Sequence, residues 1–332
     1  MNTAILKAIK CNAFPNPKVS SVLFDKNQKV KGYGIHNGPG TLHAEIELIK
    51  NVPISYDDTL YVTLEPCFHE DTSPSCAHEL LKTPIKNIVI GDIDVDSRTN
   101  GKSIELLKNN GVNISIEKGV NSFLNPHYIN QKLHNDPSTM IGKIATSVNN
   151  KINDFDSESK YLTNEYSLYI THILRSTVDA ILIGKNTLLN DDPKLNIRIN
   201  QLEDLNKKKI ILWGNSSEDL ERHAKKHTDF IFVTYFKTNL QNAIYLKNDK
   251  KLSTNLFREF QINSILVEGG NSIHKYLIDN MRYNYFYWFK NNNNIKNGTT
   301  FNKNVQNIIK SDYKVFKQIQ LNDNNLTTYN YK

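Results

Sequence analysis

The strongest constraint on this chain is a repeated exchange of short apolar runs for segments with helical spacing. "TLYVTL" (59–64), "IKNIVIGDID" (85–94) and "VNISI" (112–116) are β-type runs, and between them stand the helical segments "CAHELLK" (76–82) and "SIELLKNN" (103–110), the latter closed by Gly111. Strands and amphipathic helices each carry an apolar face that must be covered, so the alternation predicts an α/β layer. Upstream, residues 2–11 read as a short helix. "VSSVLF" (19–24) and "KVKGYGIH" (29–36) read as hairpin partners across "DKNQ", and "AEIELIKN" (44–51) as a helix. The pattern resumes with strands "MIGKIATSV" (140–148), "AILIG" (180–184), "KIILWG" (209–214), "FIFVTY" (230–235) and "SILVEGG" (264–270), and with helices over 164–175 and 271–279. "NNNN" (291–294) reads as a polar loop without chemical signal. Residues 121–138 hold Asn-Pro and Asp-Pro with weak periodicity. The 332 residues can supply two cores. The expected division is a first domain over 1–122, a linker over 123–138 and a second domain over 139–332. No internal repeat is present, so the domains differ.

Composition narrows the class. Hydrophobic residues make up 39% and charged residues 23%, as in soluble globular proteins. No run approaches eighteen apolar residues, so no membrane span is expected. The first residues show no basic segment followed by an apolar block, and a cytoplasmic location is the expectation. The formal charge of +7 reads either as lysines on a solvated surface or as affinity for anionic ligands. "KKK" (207–209) and "HAKKH" (223–227) read as helix or loop surface, and no basic run interleaved with aromatics marks a nucleic-acid binder. Three cysteines, Cys11, Cys67 and Cys76, cannot form a disulfide framework and point instead to a metal.

His43, Cys67 and Cys76 can supply the three protein ligands of a catalytic zinc, one ion per chain, which keeps its fourth position for water. His43 and Cys76 each stand at the start of a predicted helix, where the dipole and free N–H groups favour a thiolate. Glu45 lies two residues past His43, beside the metal without binding it. There it can take a proton from zinc-bound water and hand it to a leaving amine. His-x-Glu followed by Pro-Cys and a second Cys is the pattern of zinc-dependent hydrolytic deaminases. A closed structural zinc would need a fourth protein ligand, for which His69 is the local candidate; the preferred reading has His69 lining the pocket and touching substrate.

Eight residues separate the two cysteines in "LEPCFHEDTSPSC" (64–76), where nucleic-acid and cytidine deaminases use Cys-x-x-Cys. This spacing resembles the bifunctional riboflavin-biosynthesis deaminase–reductase family, as do "FPNPKV" (14–19), "HAEIELI" (43–49) and "GDIDVDSRTNGKSIELLKNNGVNI" (91–114). In the second half "KIATS" (143–147), "LR" (174–175), "DAILIGKNTLLNDDPKLNIR" (179–198) and "VEGG" (267–270) resemble the family's reductase domain. The resemblance spans nearly the whole chain, in order. It implies a cytidine-deaminase-like α/β/α first domain and a dihydrofolate-reductase-like α/β second domain. It also implies deamination of a diaminohydroxypyrimidinone carrying a phosphoribosylamino group, followed by NADPH reduction of that group to ribitylamino.

The implied substrate contacts are Asn16, His69, Lys143, Ser159, Arg175, Leu195, Arg198 and Glu268. The implied cofactor contacts are Ala145, Tyr161, Thr187, Asp191, Gly270, Asn271 and Ser272. Arg175 and Arg198 could clamp phosphate through two-point hydrogen bonds, and "EGGNS" could hold the cofactor diphosphate on backbone N–H groups. The implied partner is a small phosphorylated pyrimidine, with no nucleic acid or membrane, and a homo-oligomer is compatible with this reading. The chain departs from the family at Ser20 for Gly, at Thr72 for a basic residue (with Lys18 as candidate substitute), at Asn149-Asn150 for Asp-Gly, and at Tyr161 for Trp. The alternatives are a deaminase with a degenerate reductase half, or a zinc-dependent nucleic-acid deaminase or binding module.

Overall fold

The computed structural model describes residues 1–70, 74–136, 138–157, 162–247, 252 and 255–332. The chain divides into two compact units, Met1–Pro137 and Ser138–Lys332. No helix among the described residues is long and apolar enough to cross a membrane.

The first unit runs α1 (Asn2–Ile9), β1 (Ser20–Phe24), β2 (Val30–Ile35), α2 (Ala44–Asn51), β3 (Thr59–Val62), α3 (Cys76–Leu81), β4 (Asn87–Ile90), α4 (Lys102–Asn109), β5 (Asn113–Ile116), α5 (Val120–Leu124) and α6 (Pro126–His134). Its sheet has the order β2-β1-β3-β4-β5. β1 is antiparallel to both neighbours, and β3, β4 and β5 are parallel. The β1–β2 turn is held by the Asp25 carboxylate, which accepts from the backbone N–H of Asn27 and Lys29. Leu23, Leu48, Leu60, Val62, Leu80, Ile88 and Leu107 form the core between sheet and helices.

The stretch expected as a linker differs: most of it is α5 and α6, and both helices are part of the first unit. Beside the buried Val120 and Leu124, polar contacts dock them. Asn125 is buried and pairs with the backbone of Lys18, accepting from its N–H at 2.7 Å and donating to its carbonyl at 3.0 Å. Tyr128 donates to Asp94 at 2.8 Å, and Lys132 pairs with Asp96 at 2.7 Å. Helices attached in this way leave little periodicity to read.

The second unit runs β6 (Thr139–Thr146), α7 (Glu165–Thr177), β7 (Ala180–Gly184), α8 (Lys185–Asp191), β8 (Lys208–Gly214), α9 (Leu220–Lys226), β9 (Phe230–Thr234), β10 (Ala243–Tyr245), α10 (Asn255–Arg258), β11 (Ser264–Glu268), α11 (Asn271–Asn280), β12 (Tyr285–Asn291), α12 (Lys303–Asp312), β13 (Tyr313–Leu321) and β14 (Asn324–Tyr331). Its nine strands lie in the order β10-β9-β8-β7-β11-β6-β12-β14-β13. They are parallel from β10 to β12, after which β14 and β13 are antiparallel. Both sheet faces are covered, by cores around Phe257, Phe286 and Phe301 on one side and Leu174, Trp213 and Phe232 on the other. This is why its strands read as continuous apolar runs. β11 enters between β7 and β6. A crevice opens at the carboxyl ends of strands where the order reverses in this way.

Three further expectations change. Lys209 of "KKK" is buried in β8, with its ammonium paired to Asp229 and 5.2 Å from the centre of the Phe230 ring. His223 of "HAKKH" is buried on α9. Asn291, the first of the "NNNN" run, ends β12 and is buried.

Candidate active sites

In the first unit the start of α2 is pressed against β2. A Cβ on Gly34 would stand 2.0 Å from the Ala44 carbonyl oxygen and 2.8 Å from the Leu48 nitrogen, so only glycine permits the approach. Ser21 Oγ donates to the Ala44 carbonyl at 2.7 Å, and the Ile35 N–H donates to the Glu47 carboxylate. His43, the residue preceding the helix, is thereby aimed at two cysteines. Cys67 follows β3, and Cys76 opens α3. Ser75 Oγ donates to the Cys67 carbonyl at 3.0 Å, and the Cys76 N–H points at Cys67 Sγ at 3.3 Å. His43 Nδ1 lies 3.4 Å from Cys67 Sγ and 3.3 Å from Cys76 Sγ.

Among the described residues these three form the group of His, Cys, Asp or Glu side chains able to hold a metal, with ligand atoms within 4.8 Å of one another. Bonds of about 2.0–2.3 Å to a tetrahedral zinc imply N–S edges of roughly 3.6 Å, so the donor set and its spacing fit zinc. His69 lies outside the group, so the described residues supply three donors and no fourth. The hydrogen bond from Cys76 pulls the Cys67 thiol down to about 4 and pushes Cys76 up, so one proton is shared between two sulfurs that a metal would strip of it.

Glu45 is buried in the first turn of α2. Burial, helped by the Cys67 charge, pushes its carboxyl up to about 7. Asn16 and His69 are each held by a neighbouring side chain. Asn16 Nδ2 donates to His36 Nε2 at 2.9 Å, and His36 Nδ1 donates to the Leu42 carbonyl at 3.1 Å. The His36 ring stands edge-on to His43 at 5.3 Å, and burial lowers its pKa. His69 Nδ1 pairs with Thr99 Oγ1 at 3.2 Å, and that hydroxyl also accepts from the Phe68 N–H. Glu65 ties this loop to the one after β4, accepting from the N–H groups of Asp94 and Gly101 at 3.1 and 2.9 Å. His36, Glu65 and Thr99 had no sequence signal, because each acts through residues distant in the chain. Ser20 is buried and uses its hydroxyl to bond the Ala4 carbonyl at 2.6 Å. Thr72 lies outside the described residues.

In the second unit a cleft of about 780 Å³ opens at the carboxyl ends of β6, β11, β7 and β8. It brings together Lys143, Ala145, Arg175, Thr187, Asp191, Leu195, Glu268, Gly270, Asn271 and Ser272. Ser159 and Tyr161 lie outside the described residues. Arg198 does not line this cleft; it is exposed, with Nε 3.2 Å from Nε2 of the buried His172.

Arg175 is not arranged as an open phosphate clamp. Its Nε and Nη2 donate to the two Glu268 oxygens at 2.6 and 3.0 Å, and its Nη1 donates to the Asn196 carbonyl at 2.9 Å. Burial alone would raise Glu268, but the charge and hydrogen bonds of Arg175 hold it below its usual range. Burial lowers Lys143, partly offset by Glu268. Burial, with the charges of Arg175 and Arg198, pushes His172 down to about 4.

Leu195 has φ +51°, a left-handed conformation that a leucine holds only when its surroundings impose it. Asn271 donates to the Thr300 carbonyl at 2.8 Å and accepts from the Asn302 N–H at 2.7 Å, so its amide braces a loop. His274, fully buried, accepts from the Tyr283 hydroxyl at 2.8 Å and donates to the Lys143 carbonyl at 3.1 Å, fixing the strand that carries Lys143. Asn149 accepts from Ser147 Oγ at 2.6 Å, as an aspartate there could, and Asn150 holds φ +61°, where glycine is usual. Gly184, Gly214 and Gly270 line the cleft and leave backbone open to an extended ligand; at Gly214, φ +89°, an added Cβ would meet nothing within 4 Å. Such a wall fits a dinucleotide.

Two family models match the chain: the cytidine and deoxycytidylate deaminase zinc-binding region over residues 1–92, and the RibD C-terminal domain over residues 138–286. Riboflavin biosynthesis protein RibD of Chlamydia pneumoniae is 30% identical over 292 residues, covering 81% of this chain and 77% of that one. The protein of the same name from Aquifex aeolicus is 28% identical over 293 residues, covering 80% and 78%. A solved deaminase/reductase from Thermotoga maritima, titled a diaminohydroxyphosphoribosylaminopyrimidine deaminase and 5-amino-6-(5-phosphoribosylamino)uracil reductase, superposes with a TM-score of 0.67 at 23% identity, over 100% of this chain and 97% of that one. Acinetobacter baumannii RibD gives 0.65 at 21% identity over the same shares. At these identities the two solved structures establish likeness of fold.

Proposed function

The chain belongs to the bifunctional riboflavin-biosynthesis deaminase–reductase family, and on that premise we propose how its own residues divide the work. It is a zinc- and NADPH-dependent enzyme. The first unit deaminates diaminohydroxyphosphoribosylaminopyrimidine, and the second reduces 5-amino-6-(5-phosphoribosylamino)uracil to the ribitylamino compound. The observation that carries the residue roles in the first unit is a buried carboxyl, Glu45, two residues from a metal site that has three donors among the described residues.

His43, Cys67 and Cys76 would hold zinc, which when bound makes water nucleophilic at neutral pH. Glu45 receives the water proton on its carboxylate and releases it to the departing amino nitrogen. A carboxyl raised to about 7 can do both near neutrality. Asn16, steadied by His36, and His69, steadied by Thr99, would meet the pyrimidine in this reading. In the second unit Gly270 and the start of α11 would hold the diphosphate of NADPH, which supplies hydride when bound. The Arg175–Glu268 pair presents a fixed edge to the ribose hydroxyls, with its own charges already neutralised. Lys143, made a better acid by burial, delivers the proton that accompanies hydride addition at the sugar carbon.

The test follows ammonia and nicotinamide absorbance together on zinc-loaded protein given the pyrimidine substrate and NADPH. Ammonia release should precede NADPH loss. Glu45→Gln should abolish both, while the second step persists when the deaminated intermediate is supplied directly. Retained ammonia release in Glu45→Gln would remove Glu45 from the first step.

A further inference from the structure

The cleft of the second unit carries its cations in two places. Lys143 and Arg175 stand with Glu268 on one side. Apart from them, Lys185 opens α8 directly after β7. It is half-buried on the cleft wall, with its ammonium 4.6 Å from the centre of the Trp213 ring. Trp213 is 3% exposed, so the ring against which the ammonium stands is immobile and fixes where the charge sits. No ion pair among the described residues uses Lys185. A cation on a residue of the cleft wall, without a carboxylate partner, is suited to an anionic group of the ligand.

The strand order says which group. From β6 the sheet runs to β11, β7 and β8, with neighbours about 4.8 Å apart. The seat over β7 and β8 therefore lies roughly 10–14 Å from Lys143. If the nicotinamide lies against the residues on β6 and β11 and the diphosphate meets Gly270 at the start of α11, the adenosine end extends toward β8. There Gly214 leaves the backbone open and Tyr235 lines the wall. The anionic group that distinguishes NADPH from NADH at that end is the 2′-phosphate of the adenosine ribose.

We propose that Lys185, laid on Trp213, recognises the 2′-phosphate of NADPH and is the residue by which this chain selects NADPH over NADH. The proposal rests on the reductase reading above. An ammonium meets a phosphate monoester as a point charge with rotatable donors, so arginine can take its place at this site while an apolar side chain cannot.

Calorimetric titration of the full chain tests it, with NADPH, NADH, adenosine 2′,5′-bisphosphate and AMP as ligands for wild type, Lys185→Met and Lys185→Arg. Methionine keeps an apolar stem on Trp213 and removes only the charge, and unchanged tryptophan fluorescence verifies the packing. The methionine variant should lose about ten- to a hundredfold in affinity for NADPH and for the bisphosphate, with NADH and AMP nearly unaffected; the arginine variant should recover most of it. Equal losses for NADPH and NADH would put the lysine on the diphosphate and overturn the proposal, as would an unchanged NADPH affinity. A wild type that binds neither dinucleotide would overturn the reductase reading, and this assignment with it.

Discussion

Arg175 commits its guanidinium to Glu268 and the Asn196 carbonyl before any ligand arrives. The two side chains are 13% and 12% exposed, so each charge depends on the other for the solvation it gave up. Arg175→Met should destabilise the second unit by about 3–5 kcal/mol, because it strands a buried carboxylate, whereas Arg175→Met with Glu268→Leu should cost less than the single change. The folded-state pKa of Glu268 is lowered relative to the unfolded chain. Its contribution to stability is therefore fully present above the ordinary carboxylate range and fades as pH falls through the lowered value. Urea unfolding at neutral and acidic pH checks both statements; a double variant less stable than the single one would mean that the pair is not the coupled unit described. This pairing was not legible in the sequence, since partners 93 positions apart leave no local signal. The candidate zinc donors and Glu45 were legible, because His43, Glu45 and Cys76 sit at helix starts and Cys67 follows a Pro after a strand, in a pattern that few other chemistries require. The Asn149-Asn150 departure gains a reason only from geometry: the first amide accepts the hydrogen bond, and the second tolerates a positive φ.

At the scale of elements, the deaminase chemistry depends on how closely α2 lies on β2. Gly34→Ala would place a methyl carbon 2.0 Å from the Ala44 oxygen, a backbone atom that cannot turn aside. The helix must shift, and His43 and Glu45 move with it. The expected cost is about 1–3 kcal/mol in the first unit, with zinc affinity reduced about 10–100-fold in competition with a chromophoric chelator. Gly40→Ala, at φ +78° with nothing within 4 Å of the new carbon, should cost about 1–2 kcal/mol of backbone strain and leave zinc binding alone. Equal zinc affinities for the two variants would show that the close approach does not aim the site. Strands buried on both faces, such as β7, β8 and β11, were legible as apolar runs, and so were α2, α3, α4, α7 and α11. α5 and α6 were not, because Asn125, Tyr128 and Lys132 hold them through polar groups. β13 was hidden for another reason: its middle is exposed on both faces at the sheet edge, so no alternation marks it.

For the molecule as a whole, each unit owns its core. The cluster around Leu48, Leu60 and Ile88 lies within Met1–Pro137, and the two clusters around Phe286 and Phe232 lie within Ser138–Lys332. The ligands divide in the same way, since the zinc donors belong to the first unit and the dinucleotide cleft to the second. A ligand that binds only the folded form stabilises the part it binds by RT ln(1 + [L]/Kd), about 2.7 kcal/mol at a hundredfold excess over Kd. Hydrogen exchange on the intact chain should therefore separate the two responses. Removing zinc should speed exchange in α2, α3 and β3 and leave β7, β11 and α11 unchanged. Adding NADPH should slow exchange in β7, α8 and α11 and leave the first unit unchanged. Slowed exchange in α2 or α3 on adding NADPH would show instead that the reductase ligand is felt at the deaminase site, and the two activities would then have to be treated as thermodynamically linked.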